Sequence, residues 1–146
     1  MQPMNEPVTL ETRYRTLLIL WSALFISIGM FFVFATFVPP DTQPLENRML
    51  SLTFLAVGTL AVIASRVAKH RLMEQAVAKQ DVALVQTGLV VAAALSEVAA
   101  LLGLMDRMLT GNRYFYFLFI IAVIGTLLNF PRRDHLLAAG YKNRLT

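Results

Sequence analysis

Apolar residues in this chain come in four long runs, 17–38, 49–65, 82–105 and 114–130, and all but one of the charges lie between or beyond them. A helix needs about 20 such residues to cross a bilayer, so the runs predict four transmembrane helices, over 16–38, 48–67, 82–105 and 113–130. Inside hydrocarbon a segment must satisfy its own backbone hydrogen bonds, and runs this long without strict alternation select helix over strand. The expected fold is all-α: one integral membrane domain over 1–146, with spans 2 and 3 forming a central hairpin.

The breaks between runs are short. Pro39-Pro40-Asp41 ends the first span, because proline lacks a backbone donor and disfavours helix in the residue before it, and Pro44 keeps the following loop irregular. The segment after the second run has good helix formers and neither Gly nor Pro, so spans 2 and 3 are expected to continue as helices to a charged hairpin tip at 68–81. Thr110-Gly111-Asn112 reads as a tight turn, with Thr110 or Asn112 as a cap for the fourth helix. Asn129-Phe130-Pro131-Arg132-Arg133 reads as the stop of that helix.

Composition changes the picture from helical to membrane-bound. Of the 146 residues 57 % are hydrophobic, above the roughly 45–50 % of soluble domains, and the mean hydropathy is +0.61. The basic residues then set an orientation. With the N-terminus cytoplasmic, that side holds Arg13, Arg15, Arg66, Lys69, Arg71, Lys79, Arg132, Arg133, Lys142 and Arg144, against Arg48, Arg107 and Arg113 outside. Both termini are therefore expected in the cytoplasm of a bacterium, with the protein in its inner membrane. The net charge of +4 flanks the spans and forms no separate basic domain, which argues for attraction to membrane lipid and against nucleic acid. Glu6 and Glu11 precede a first run longer than a signal-peptide core, so retention of that segment is expected. The absence of cysteine excludes disulfides, thiolate catalysis and cysteine-ligated metals.

Glu97 is the charge inside a run. An ionisable residue within a span is a functional-site hypothesis, because it costs roughly 2.5–3.5 kcal/mol to insert and needs a partner, a water cavity or a bound proton. Counting rise per residue places it roughly 24 Å from Asp81 and roughly 13 Å from Asp106. Small residues surround it: Ala93, Ala94 and Ala100 flank it at helical spacing, with Ser96 and Gly103 on an adjoining strip. Gly58, Ala61 and Ser65 form a matching strip in the second span, so close helix packing is expected there, with Ser96, Ser65 or Thr59 as hydrogen-bond partners of the acid. Removal from water disfavours a charged carboxyl, which makes Glu97 a candidate protonatable switch.

The stretch Ala94-Leu95-Ser96-Glu97-Val98-Ala99-Ala100-Leu101-Leu102-Gly103-Leu104 resembles the ion-binding helix of the proteolipid, or c, subunit of rotary ATP synthases. That family shows alanine, two residues, the essential glutamate, then apolar residues and Gly-Leu, on the second helix of a hairpin with a polar cytoplasmic loop. The resemblance implies that Glu97 reversibly binds H⁺ or Na⁺. Sodium-binding members place Ser or Thr after the glutamate and Gln on the first helix; here Val98 follows and the second span has no Gln, so H⁺ is implied. The family's repeated glycines are reduced to Gly58 here, its Arg-Gln-Pro loop is absent, and two spans are additional. The chain is also loosely similar to small bacterial four-span membrane proteins with an Ala-x-x-Glu-x-x-x-x-x-Gly-Leu third span.

Other residues carry plainer expectations. Arg66 reads as a snorkelling anchor, most of a leaflet away from Glu97, and Asp106 with Arg107 as a solvated cap. His70 and His135 are lone histidines in separate polar segments and no metal site is expected. Trp21, Tyr114 and Tyr116 fit interfacial belts. No phosphate loop, nucleophilic triad or ligand cluster appears, so neither an enzyme nor a cofactor is expected. Three functional readings follow. In the first, a proton-binding or proton-translocating subunit, Glu97 is the carrier, with membrane lipid and either further copies or other membrane subunits as partners. In the second, a structural or assembly subunit, Glu97 fixes helix packing. A small drug/proton antiporter shares the four-helix plan, but places its acid in the first helix.

Overall fold

The computed structural model describes residues 10–39, 48–79, 81–131 and 134. These form four α-helices, α1 (Leu10–Phe37), α2 (Arg48–Lys79), α3 (Val82–Thr110) and α4 (Tyr116–Leu128), with no strand among the described residues. The first three are long and apolar enough to cross a membrane. At 13 residues α4 is roughly 20 Å long, against a hydrocarbon thickness of roughly 30 Å, so it falls short of the fourth span expected from its run.

Good helix formers and the lack of breakers carry α2 unbroken through its polar second half to Lys79. Asp81 then starts α3 as its N-cap, its side chain accepting from the Ala83 N–H at 2.8 Å. Two long antiparallel helices result, and they form the most extensive contact in the molecule. At its other end α3 stops on Gly111, whose φ of 65° lies in the left-handed region that suits glycine, and whose N–H returns to the Arg107 carbonyl. Asn112 does not cap α4 itself; its side-chain oxygen accepts from the Tyr114 N–H at 2.9 Å and shapes the turn ahead of that helix.

The α3–α4 pair sits at the centre. Both helices pack against α1 and α2, while among the described residues the backbones of α1 and α2 do not approach each other closely. One buried cluster joins Leu17, Ala76, Val85 and Leu89 near the hairpin tip; another joins Ile28, Ala35, Ala99, Ala100, Phe119 and Ala122 in the bundle proper. The opposite surface is apolar, with Phe37 at 79 % and Met49 at 74 % exposure, as a lipid-facing surface requires.

Glycines permit the close approaches. A Cβ added to Gly125 of α4 would stand 2.8 Å from Val62 Cγ1 and 2.9 Å from Ser96 Oγ, and one added to Gly103 would stand 3.0 Å from both Leu118 and Phe119. Gly29 of α1 faces open space. Gly125→Val is therefore expected to destabilise the bundle by about 1–3 kcal/mol through overpacking. Gly29→Ala is expected to be neutral or stabilising by up to about 1 kcal/mol, from helix propensity. Reversible unfolding in mixed detergent micelles measures both.

Candidate functional site

Polar side chains gather at three places in the bundle, and α3 contributes to each. The first is Glu97 itself. It is half-buried at the seam of α1 and α3, where the Ser27 hydroxyl of α1 donates to Glu97 Oε1. The neighbouring residue Ser96 is turned about 100° away around the helix and is fully buried against α2 and α4. The acid and its adjoining serine thus belong to different interfaces.

The second centre holds the serines expected to serve Glu97. Ser96 Oγ donates to the Ala92 carbonyl at 3.0 Å and lies 3.5 Å from Ser65 Oγ of α2. Asn129, at the end of α4, directs Nδ2 to Ser65 Oγ at 3.2 Å, to Ser96 Oγ at 3.4 Å and to the Ala92 carbonyl at 3.4 Å. Ser65 and Ser96 therefore serve Asn129 and not Glu97, and Thr59 bonds back to the Leu55 carbonyl of its own helix. Of the expected packing residues, Gly58 is buried and would place a Cβ 3.5 Å from Ala99, Ala93, Ala100 and Gly103 are buried, and Ala61 is half-buried. Ala94 faces outward.

The third centre lies at the other end of α3. Asp106, at 2 % exposure, is no solvated cap. Its Oδ1 accepts from Ser51 at 2.6 Å and Thr110 at 2.8 Å, and its Oδ2 accepts from Asn112 Nδ2 at 2.8 Å. Arg107 turns away from it, donating through Nη1 to the Gly111 carbonyl at 3.3 Å and lying over the Phe115 ring. Its Nε is buried without a hydrogen-bond partner among the described residues. Asp106 ties α2, α3 and the turn before α4 together.

The register of the hairpin relocates Glu97. Because Ser65 and Ser96 meet across α2 and α3, the next residues, Arg66 and Glu97, lie within roughly 3 Å in height, on different sides of α3. Most of a leaflet does not separate them. Arg66 Nη1 donates to the Leu128 carbonyl at 2.8 Å, satisfying an orphan acceptor at the end of α4. Trp21 Nε1 likewise donates to the Thr126 carbonyl at 2.9 Å, and its ring meets Phe130 edge-on. Trp21, Arg66 and Asn129 thus form a polar belt just on the hairpin-tip side of Glu97.

His70 pairs with Glu74 at 3.3 Å, and His135 lies outside the described residues. Among the described residues no group of three or more metal-ligating side chains converges. Sequence reasoning missed Ser27, Asn129 and the burial of Asp106. An amide at the end of an apolar run was the available signal for Asn129, whereas Ser27, in the middle of its run, offered none.

No protein-family model, curated protein or solved structure matches the chain.

The two acids differ in how many donors depend on them. Asp106→Ala removes the acceptor of Ser51 and Asn112, leaving Thr110 its bond to the main-chain carbonyl of residue 106, and is expected to destabilise by about 1–3 kcal/mol or more, whereas Glu97→Gln retains an acceptor for Ser27 and is expected to cost less. Unfolding free energies of the two variants, measured side by side, check the order.

Proposed function

We propose that this is a small multi-pass membrane protein that reversibly holds a proton on Glu97, a proton-binding subunit similar in principle to the rotary c subunit. The observation that carries the reading is the contrast between the two acids. Asp106 is enclosed and supplied with three neutral donors, whereas Glu97 is half-buried at the rim of a helix seam with the Ser27 hydroxyl as its partner. Among the described residues no basic side chain forms an ion pair with it. A carboxyl so placed satisfies itself most simply by carrying a proton, and its rim position leaves a route for exchange. The belt of Trp21, Arg66 and Asn129 supports a nearer water on the hairpin-tip side. Ser96 and Ser65 then act indirectly, by holding α3 against α2 and α4.

Expected partners are membrane lipid and further copies or other membrane subunits. The proposed topology has four spans, both termini cytoplasmic, in a bacterial inner membrane. The short α4 crosses with help from its ends: Tyr114 and Tyr116 on one side, Arg66 reaching its last carbonyls on the other, with local bilayer thinning to absorb the mismatch. A second reading, that Glu97 is a structural latch, draws on Ser27–Glu97 and Trp21–Thr126, two hydrogen bonds that tie α1 to α3 and α4.

Carbodiimide modification in native membranes separates the readings. Labelling of Glu97 is expected at low pH and should decline as pH rises and the acid ionises, to vanish in Glu97→Gln and to persist in Ser27→Ala. Absence of labelling at every pH would leave the latch. The topology has its own test, because the chain lacks cysteine. An impermeant maleimide added outside should reach Gln43→Cys but reach Thr9→Cys and Tyr141→Cys only after permeabilisation; direct labelling of Tyr141→Cys would mean that α4 does not cross.

A further inference from the structure

Because α4 ends at Leu128 while α2 continues to Lys79, no helix among the described residues continues α4 along α2 beyond Arg66, and a groove of about 470 Å3 opens there. Its two walls differ in chemistry. Arg66, Lys69 and His70 line the α2 side, while Leu127, Leu128 and Phe130 form an apolar floor at the end of α4. The three basic positions share one helix face at spacings of three and four, and the floor residues are 41–52 % exposed.

We propose that this groove is a binding site for an anionic phospholipid, with the phosphate held by Arg66 and Lys69 and an acyl chain lying on Leu127, Leu128 and Phe130. The guanidinium of Arg66 is already oriented by its bond to the Leu128 carbonyl, and among the described residues four of its five N–H groups remain for phosphate oxygens, a geometry suited to charge-assisted bonding. Height supports the same occupant. The groove begins at the level of the belt that includes Trp21 and Asn129, where a headgroup would lie, and its apolar floor points back along α4 into the hydrocarbon. Glu74, also on the rim, is about 12 Å further along α2 and is paired with His70, so it opposes the anion only at the outer edge. The bound lipid would fill the space that a longer α4 would occupy. The site uses α2 and α4 and is independent of the reading of Glu97.

Native mass spectrometry of the full chain, released from micelles containing phosphatidylglycerol or phosphatidylcholine, tests the proposal. Retention of phosphatidylglycerol over phosphatidylcholine is expected, and each removed charge near the headgroup should weaken it about fivefold. The variants are Arg66→Gln with Lys69→Gln, and Lys69→Gln alone, which keeps the Arg66–Leu128 bond should the double variant fail to fold. Arg48→Gln, at the opposite end of α2, should leave retention unchanged. Equal retention of both lipids, an equal loss in Arg48→Gln, or displacement of the lipid by inorganic phosphate would each overturn the site: the first leaves an apolar groove, the second a diffuse attraction, the third a soluble-phosphate pocket.

Discussion

Helices in hydrocarbon gain little from burying apolar side chains against one another, since lipid tails serve equally well; what holds them is close packing and a few polar contacts. The inward face of α3 is built for this. Gly88, Ala92, Ala93, Ser96, Ala99, Ala100 and Gly103 present almost no side-chain bulk, and so one helix can lie against three others. Where α4 returns the compliment with Gly125, Ser96 comes near enough to share Asn129 with Ser65. Substituting bulk into this strip would part the helices and strand the polar groups together, which makes packing and hydrogen bonding a single constraint here.

The same constraint places the polar side chains at interfaces and the backbone carbonyls within their reach. Asn129 reaches the Ala92 carbonyl, Trp21 that of Thr126 and Arg66 that of Leu128. Two of these acceptors lie in the final turn of α4, where the Thr126 carbonyl also takes the Asn129 N–H at 3.1 Å and the Leu128 carbonyl lies past the last intrahelical donor. The short helix is thus finished by side chains from α1 and α2, and its shortness is what exposes the basic face of α2 beyond Arg66.

Much of this was legible in the runs of apolar residues: the helices, the hairpin with its polar extension, and the small-residue strip around Glu97. Length was legible less well for α4, because the run 114–130 includes Tyr114 and Phe115, which form a turn, and Asn129 and Phe130, which follow the helix. The separation in height between Arg66 and Glu97 was misjudged because counting residues along one helix ignores register between helices; a single contact, Ser65 to Ser96, resets it. Asp106 looked solvated because Arg107 and a Gly-Asn turn follow it, yet Ser51, half a chain away, completes its enclosure. Ser27 had no local signal at all, since a lone serine in an apolar helix ordinarily bonds back to its own backbone.

The two acids of α3 show how surroundings assign roles to identical chemistry. A carboxylate that already accepts from a serine, a threonine and an asparagine has nothing to gain from leaving its site, and the groups around it would be stranded if it did. Glu97 has a lighter set of obligations. Its partner sits on α1, which among the described residues packs chiefly on α3 and α4, and both Ser27 and Glu97 are only half-buried at that seam. A small displacement of α1 would break the one Ser27–Glu97 hydrogen bond, whereas opening Asp106 would break three across α2, α3 and the turn before α4. The rim acid is therefore the more lightly tied of the two, and the enclosed acid is the one that holds α2, α3 and the turn before α4 in register.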